Sequence, residues 1–204
     1  MIKSTFYNLP EPKRQRIIEA IIVEFSNANH EKVSINRIIQ RANISRGSFY
    51  QYFDDKVDLV EVLITSIVDR VREQLEKIMQ HSGDDIFYTY EKLFDVIADF
   101  DEEGANHSLL KRLARNLKTN DGLVSDYLTN RFNGISDYKD SFKSYSRAKL
   151  RYQSDEDFEL LMQMLTGMLK NALFNLYVVG MDRETVRRNY LRKLEILSTG
   201  AVLK

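Results

Sequence analysis

The stretch ISRGSFYQYF, residues 44–53, concentrates side chains suited to holding an anion: the guanidinium of Arg46, the hydroxyls of Ser45, Ser48, Tyr50 and Tyr52, and the amide of Gln51. An arginine fork pairs with phosphate or with the outer edge of guanine, and hydroxyls donate to phosphate oxygens. On a helix, Phe49 and Phe53 stand four residues apart and turn inward as anchors. Arg46, Gly47 and Gln51 then fall on another face, with Ser48, Tyr50 and Tyr52 along its edges. Gly47 costs such a helix about 1 kcal/mol relative to alanine, which points to a surface that another molecule approaches closely. Ser34, at the start of the preceding helix, offers a second phosphate site through its backbone N–H and hydroxyl. Lys56 offers a third.

Other chemistry is thin. There is no cysteine, and His30, His81 and His107 are far apart with no second ligand at helical spacing, so no metal or cofactor is expected. No glycine loop is shaped for phosphate and no serine lies in a nucleophile elbow. The acidic run DFDEE, residues 99–103, reads as a solvated loop. Catalysis is the weakest of the function classes.

Charge reinforces the anion reading. The whole chain is neutral, with 30 basic and 30 acidic residues, yet residues 1–53 carry a net +4. Lys32 to Phe53 contains no Asp or Glu, in a chain that is 29% charged. At 204 residues and 43% hydrophobic, the chain has material for a real core. The lack of cysteine, of a signal-like apolar N-terminal stretch and of a run long enough to span a bilayer predicts a cytoplasmic protein with no membrane partner.

The elements that must position these residues are helical. Both prolines lie at or before residue 12. Ile17, Ile18, Ile21, Ile22 and Phe25 recur at helical spacing, with Pro12 in the first turn. Ser34 caps a short helix whose inward stripe is Ile35, Ile38, Ile39 and Ala42; Asn43 ends it in the left-handed conformation; Ser45 caps the next helix and Asp54 a fourth. Two short helices about a tight turn, in an acid-free stretch, are what a helix-turn-helix needs to enter a DNA major groove. A long helix over residues 57–79 ends at HSGDD, and an aromatic helix follows in DIFYTYEKLFDVIADF. HSLLKRLARNLK and GLVSDYLTNRF are shorter candidates, and residues 131–153 have no legible pattern. A strong helix from Asp155 closes at Gly180, and a last one aligns Val186, Tyr190, Leu194 and Leu197. Sustained period-two alternation is absent, which predicts an all-α protein of about nine helices.

The segment KRQRIIEAIIVEFSNANHEKVSINRIIQRANISRGSFYQYFDDKVDLVEVLI resembles the DNA-binding domain of the tetracycline-repressor (TetR) family of bacterial transcriptional regulators. The likeness rests on the Ile-Ile-Glu-Ala helix ending in Phe25, Ser34 before the second helix, the Ala42-Asn43-Ile44-Ser45 turn, Gly47, Phe49-Tyr50, Phe53 and Lys56, and covers the first third of the chain. Asn43 stands where the family usually has glycine, Tyr52 where histidine is common, and Asn29-His30 where Gly-Tyr or Gly-Phe is typical. The resemblance implies a DNA-binding domain over residues 1–56, with its motif at about 33–52, and a ligand-binding and dimerising domain over 57–204. It implies a homodimeric repressor on a palindromic DNA operator, released by a small-molecule effector. The DNA contacts expected are Ser34, Ser45, Arg46, Gly47, Ser48, Tyr50, Gln51, Tyr52 and Lys56.

Within the larger part, Phe87, Tyr90, Phe94, Tyr127, Met164, Met168, Phe174 and Tyr177 are candidates for a ligand pocket, because methionine and polar-tipped aromatics line adaptable cavities. The same residues at helical spacing also build plain core. The helix over 156–179 is apolar on more than one face, so both faces require cover. Phe158, Leu161, Leu165, Leu169, Ala172 and Leu176, with Tyr190 and Leu194, are the expected dimer contact. A ligand-independent DNA-binding or protein-interaction module is the alternative reading.

Overall fold

The computed structural model describes residues 2–27, 32–99, 142 and 145–202. Its described residues contain eight α-helices and no strand, the one β contact being an isolated bridge from Leu150 to Val202. The all-α expectation holds. The candidate helices at 107–118 and 122–132 lie outside the described residues, as do Tyr127, His30 and His107. Two compact units divide the chain: described residues 2–70 form one, and 71–99, 142 and 145–202 form the other.

The first unit contains α1 (Ser4–Tyr7), α2 (Glu11–Asn27), α3 (Ile35–Ala42), α4 (Arg46–Tyr52) and the first half of α5 (Lys56–Ser82). The apolar stripe of α2 forms its floor, with Ile17, Ala20, Ile21 and Phe25 buried. Ile38 and Ala42 from α3, Phe49 from α4, Phe53 after it, and Leu59 and Leu63 from α5 complete the core. Caps follow local chemistry. Ser34 Oγ accepts from Arg37 N, Ser45 Oγ accepts from Ser48 N at 3.0 Å, and Asn43 stops α3 at φ 52° and ψ 54°. The cap of α5 falls one residue later than expected. Asp55 Oδ1 accepts from the N–H groups of Val57 at 2.7 Å and Asp58 at 3.3 Å, and Asp58 Oδ2 accepts from Asp54 N at 2.7 Å. Asp54, the expected cap, pairs with Lys3 instead, at 2.7 Å.

In the second unit, the remainder of α5 stands with α6 (Ile86–Asp99), α7 (Asp155–Phe174) and α8 (Arg183–Ala201). Gly83 and Asp84 take positive φ between α5 and α6, the break foreseen at HSGDD. Phe94, Leu165 and Tyr190 are among its most buried side chains. Phe94 and Tyr190 face each other at 5.1 Å between ring centroids, and Tyr90 stacks on Phe142 at 5.9 Å. Arg187 of α8 is forked onto Asp95 of α6 at 2.7 and 2.9 Å; that hydrogen-bonded carboxylate raises the guanidinium's pKa although burial opposes it. Tyr145 hydroxyl joins Ser82 Oγ at 2.6 Å and Thr89 Oγ1 at 2.5 Å, anchoring the non-helical residues 145–150. The α7 helix widens into one π-helical turn over Asn175–Val179, then ends at Gly180 with φ 80°. Among the described residues no helix is long and apolar enough to cross a membrane.

Candidate nucleic-acid interface

The outward side of α4 starts from what its inward side fixes. Phe49 and Phe53 are fully buried, 5.2 Å apart, and lock the rotation of the helix. Ser45, Arg46, Gly47, Tyr50 and Gln51 are consequently exposed and Ser48 is half-buried. The Arg46 guanidinium lies 5.9 Å from the Tyr50 ring centroid, a cation–π contact that holds two expected contact residues side by side. Ser45 Oγ and Ser48 Oγ are 2.9 Å apart at the helix N-terminus. A methyl group added at Gly47 would meet nothing closer than Ser45 Oγ at 3.8 Å. Among the described residues nothing crowds this position.

Three expected contacts sit differently. Tyr52 is 5% exposed, its ring packed by Phe6 at 6.3 Å and Phe53 at 6.2 Å with the Lys13 ammonium 5.8 Å from its centroid. It belongs to the anchoring side, because a position three residues after Phe49 turns back toward the core. The backbone N–H of Ser34, expected to bind phosphate, donates at 2.9 Å to Glu24 Oε1. That carboxylate also takes both nitrogens of the Arg37 fork, at 2.6 to 3.0 Å, so an internal anion already occupies the start of α3. Burial alone would raise the Glu24 carboxyl, but the Arg37 and Ser34 hydrogen bonds outweigh it and hold the group below the usual carboxylate range. Lys56 is half-buried at the start of α5.

Most of the expected dimer residues are buried within their own chain. Phe158, Leu161, Leu165, Leu169, Ala172, Tyr190 and Leu194 are buried within their own chain, against α6 and between α7 and α8, and Leu176 is half-buried. Periodicity finds both apolar stripes of α7 but cannot say which one the chain covers itself. The uncovered stripe is the other: Leu160 is 46% exposed and Met164 and Phe174 are each 53% exposed. With Met168 and with Ile196 and Leu197 of α8, Leu160 and Met164 border a shallow apolar groove. Met164 and Met168, expected in a pocket, thus border this groove, whereas Phe174, also expected there, is exposed and is not among the residues lining it. Of the other pocket candidates, Tyr90 and Phe94 are buried and Phe87 is half-buried. Tyr90 hydroxyl bonds Thr166 Oγ1 at 2.8 Å, and Tyr177 hydroxyl donates to Ile97 O at 2.8 Å.

Sequence reasoning missed α1 and the Glu24–Arg37 pair. Four residues are too few to carry a periodic signal, and the sole hint of the pair is an acid on the inner stripe of α2 beside Phe25.

Comparison with known proteins agrees with the arrangement. The family described as "Bacterial regulatory proteins, tetR family" matches residues 17–63, and "Tetracyclin repressor-like, C-terminal domain" matches 85–201. The uncharacterized HTH-type transcriptional regulator YvdT of Bacillus subtilis is 31% identical over 91 residues, 43% of this chain and 42% of that protein. The chain thus matches under half the length of that relative. IcaR of Staphylococcus aureus, named a negative transcriptional regulator of a biofilm operon, is 22% identical over 79% of this chain and 85% of its own length. A TetR-family regulator structure from Pectobacterium atrosepticum shares the fold, with a TM-score of 0.64 and 17% identity over 100% of this chain and 99% of that one. With the C-terminal family match over residues 85–201 spanning more than half of its residues, the chain belongs to the tetR family of bacterial transcriptional regulators.

Proposed function

We propose that this regulator is a repressor that binds a palindromic operator as a homodimer, reading bases through the exposed side of α4. The observation that carries the reading is the conjunction of Gly47, which no described neighbour crowds, with exposed Arg46, Tyr50 and Gln51 in a stretch free of acidic side chains. Phosphates would be held by Ser45, Ser48, Tyr50 and Lys56, in a DNA-binding domain over residues 1–56. The uncovered apolar stripe of α7 and α8 supports self-association of the remaining residues, 57–204. Two reading heads in a symmetric dimer would lie about 34 Å apart, one turn of DNA. Repression, rather than activation, is favoured by the name that IcaR carries.

Release by a small molecule follows if a ligand in the second unit acts through α5, whose residues are shared between the two units. A differential affinity of a few kcal/mol between two spacings of the reading heads suffices. The ligand-independent reading has one observation in its favour: Tyr90 and Phe94, expected to line a pocket, are packed against Phe142 and Tyr190. Enrichment from a random DNA pool tests the central claim. An inverted repeat should emerge, and a pool that enriches no palindrome would end it. A thermal-shift screen of small apolar and aromatic compounds then separates the ligand-released repressor from the ligand-independent module.

A further inference from the structure

An isolated helix of seven residues is not stable in water, and its last four carbonyls have no partners within the helix. In α4 the first of these, Phe49 O, accepts from Phe53 N at 3.0 Å. The other three are taken by α1 and the residue before it. Lys3 Nζ donates to Tyr50 O at 2.8 Å, Thr5 Oγ1 donates to Gln51 O, and Lys3 N donates to Tyr52 O at 3.0 Å. The Lys3 ammonium also pairs with Asp54 at 2.7 Å. It sets a positive charge at the negative end of the helix dipole, beside the Asp54 carboxylate. Phe6, 3% exposed, packs its ring 5.0 Å from Phe53 and holds the segment in place, with Ile2 buried beside the same core. No basic residue lies in the last turn of α4 itself, so this end of the helix is completed from another part of the chain.

We propose that residues 2–7 are a positioning element for the DNA-reading helix, in which Lys3 and Thr5 hold the last turn of α4 and with it Tyr50 and Gln51 in the orientation that reads DNA. The proposal rests on the reading that α4 meets DNA. It assigns Thr5, which bears no charge, a part in sequence-specific binding through the backbone of Gln51.

The test uses the full chain with Thr5→Val, which removes the hydroxyl and keeps the shape, with Lys3→Met, with both together, and with Lys3→Arg as the conservative replacement. Backbone amide exchange is followed without DNA. Affinity is measured for a duplex selected by the wild type and for a random duplex. In the double variant the amides of Gln51, Tyr52 and Phe53 should exchange about tenfold faster, while those of Ile38 to Ala42 keep wild-type rates. Thr5→Val should lower affinity for the selected duplex severalfold and leave the random duplex unchanged, since no charge is lost. Lys3→Arg should restore most of what Lys3→Met loses. Unchanged exchange at the end of α4 would overturn the positioning role, as would equal acceleration across α3 and α4, which would mean general loosening of the unit. Faster exchange at α4 with unchanged selected-duplex affinity would overturn its link to reading. If the wild type selects no sequence, the DNA-reading claim fails by itself, and the exchange data still decide whether α1 holds α4.

Discussion

Gly47 is where a cost to the protein and a benefit to its function separate cleanly. Glycine loses more backbone entropy on folding than alanine, and the added methyl of Gly47→Ala would lie in ordinary van der Waals space, 3.8 Å from Ser45 Oγ. The variant should therefore be more stable than wild type, by up to about 1 kcal/mol in denaturant unfolding. If the proposed reading is right, its operator affinity should nevertheless fall, because the methyl would stand on the face that meets the groove. Increased stability with unchanged DNA binding would remove Gly47 from the interface. Arg46 and Lys56 divide in another way. Arg46→Ala should cost about 1–3 kcal/mol on the selected site and relax base preference at one position, whereas Lys56→Ala should weaken binding to all sequences and reduce the salt slope by about one. Equal salt slopes for wild type and Lys56→Ala would refute the phosphate assignment.

At the scale of elements, the start of α3 is fastened to α2 by an ion pair. Glu24 is 5% exposed and accepts from Ser34 N and the Arg37 fork, so Glu24→Gln weakens charge-assisted hydrogen bonds that its carboxylate takes at a buried position, while Arg37 itself is exposed. At neutral pH that change should destabilise the protein by about 1–3 kcal/mol. The sign of its pH dependence follows from a carboxyl held below its ordinary range. The stability it provides is fully present above the ordinary glutamate value and is lost as pH falls through the lowered folded value. Urea unfolding of wild type and Glu24→Gln should hence converge in acid; a difference independent of pH would place the effect in packing. What could be read from sequence at this scale was local. Asn43, Ser45 and Gly180 act within a few residues of themselves, and their types nearly dictate the backbone they adopt. The cap of α5 slipped by one residue because Asp54 and Asp55 are chemically alike and the choice depends on Lys3, half a hundred positions away. The burial of Tyr52 is hidden in the sequence for a similar reason, since Phe6, which packs on it, belongs to a helix too short to announce itself.

Over the whole molecule, the decisive ambiguity is which apolar face of α7 the chain covers alone. Periodicity marks two apolar faces on this helix, and the one containing Leu161, Leu165 and Leu169 is buried in a unit where α6 and α8 pack on α7. The stripe left over, with Met164 and with Ile196 of α8 at 53% and 62% exposure, is the apolar surface that the proposed dimer would cover. If it is the contact between two copies, Met164→Lys combined with Ile196→Lys should convert a dimer to a monomer in light scattering while helical content is kept, because neither side chain fills the interior. Substitutions at such exposed positions typically alter the stability of a single chain by only about 0.5 kcal/mol. Leu165→Lys is the necessary contrast: it puts a charge at a fully buried site and should unfold the chain. Loss of the dimer should also separate the two reading heads in solution, so affinity for a palindromic site should fall by about 100-fold or more while a single half-site is bound as before. A double lysine variant that stays dimeric would move the contact elsewhere. One that becomes monomeric and still binds the full palindrome as tightly as wild type would mean that the two half-sites are not read together.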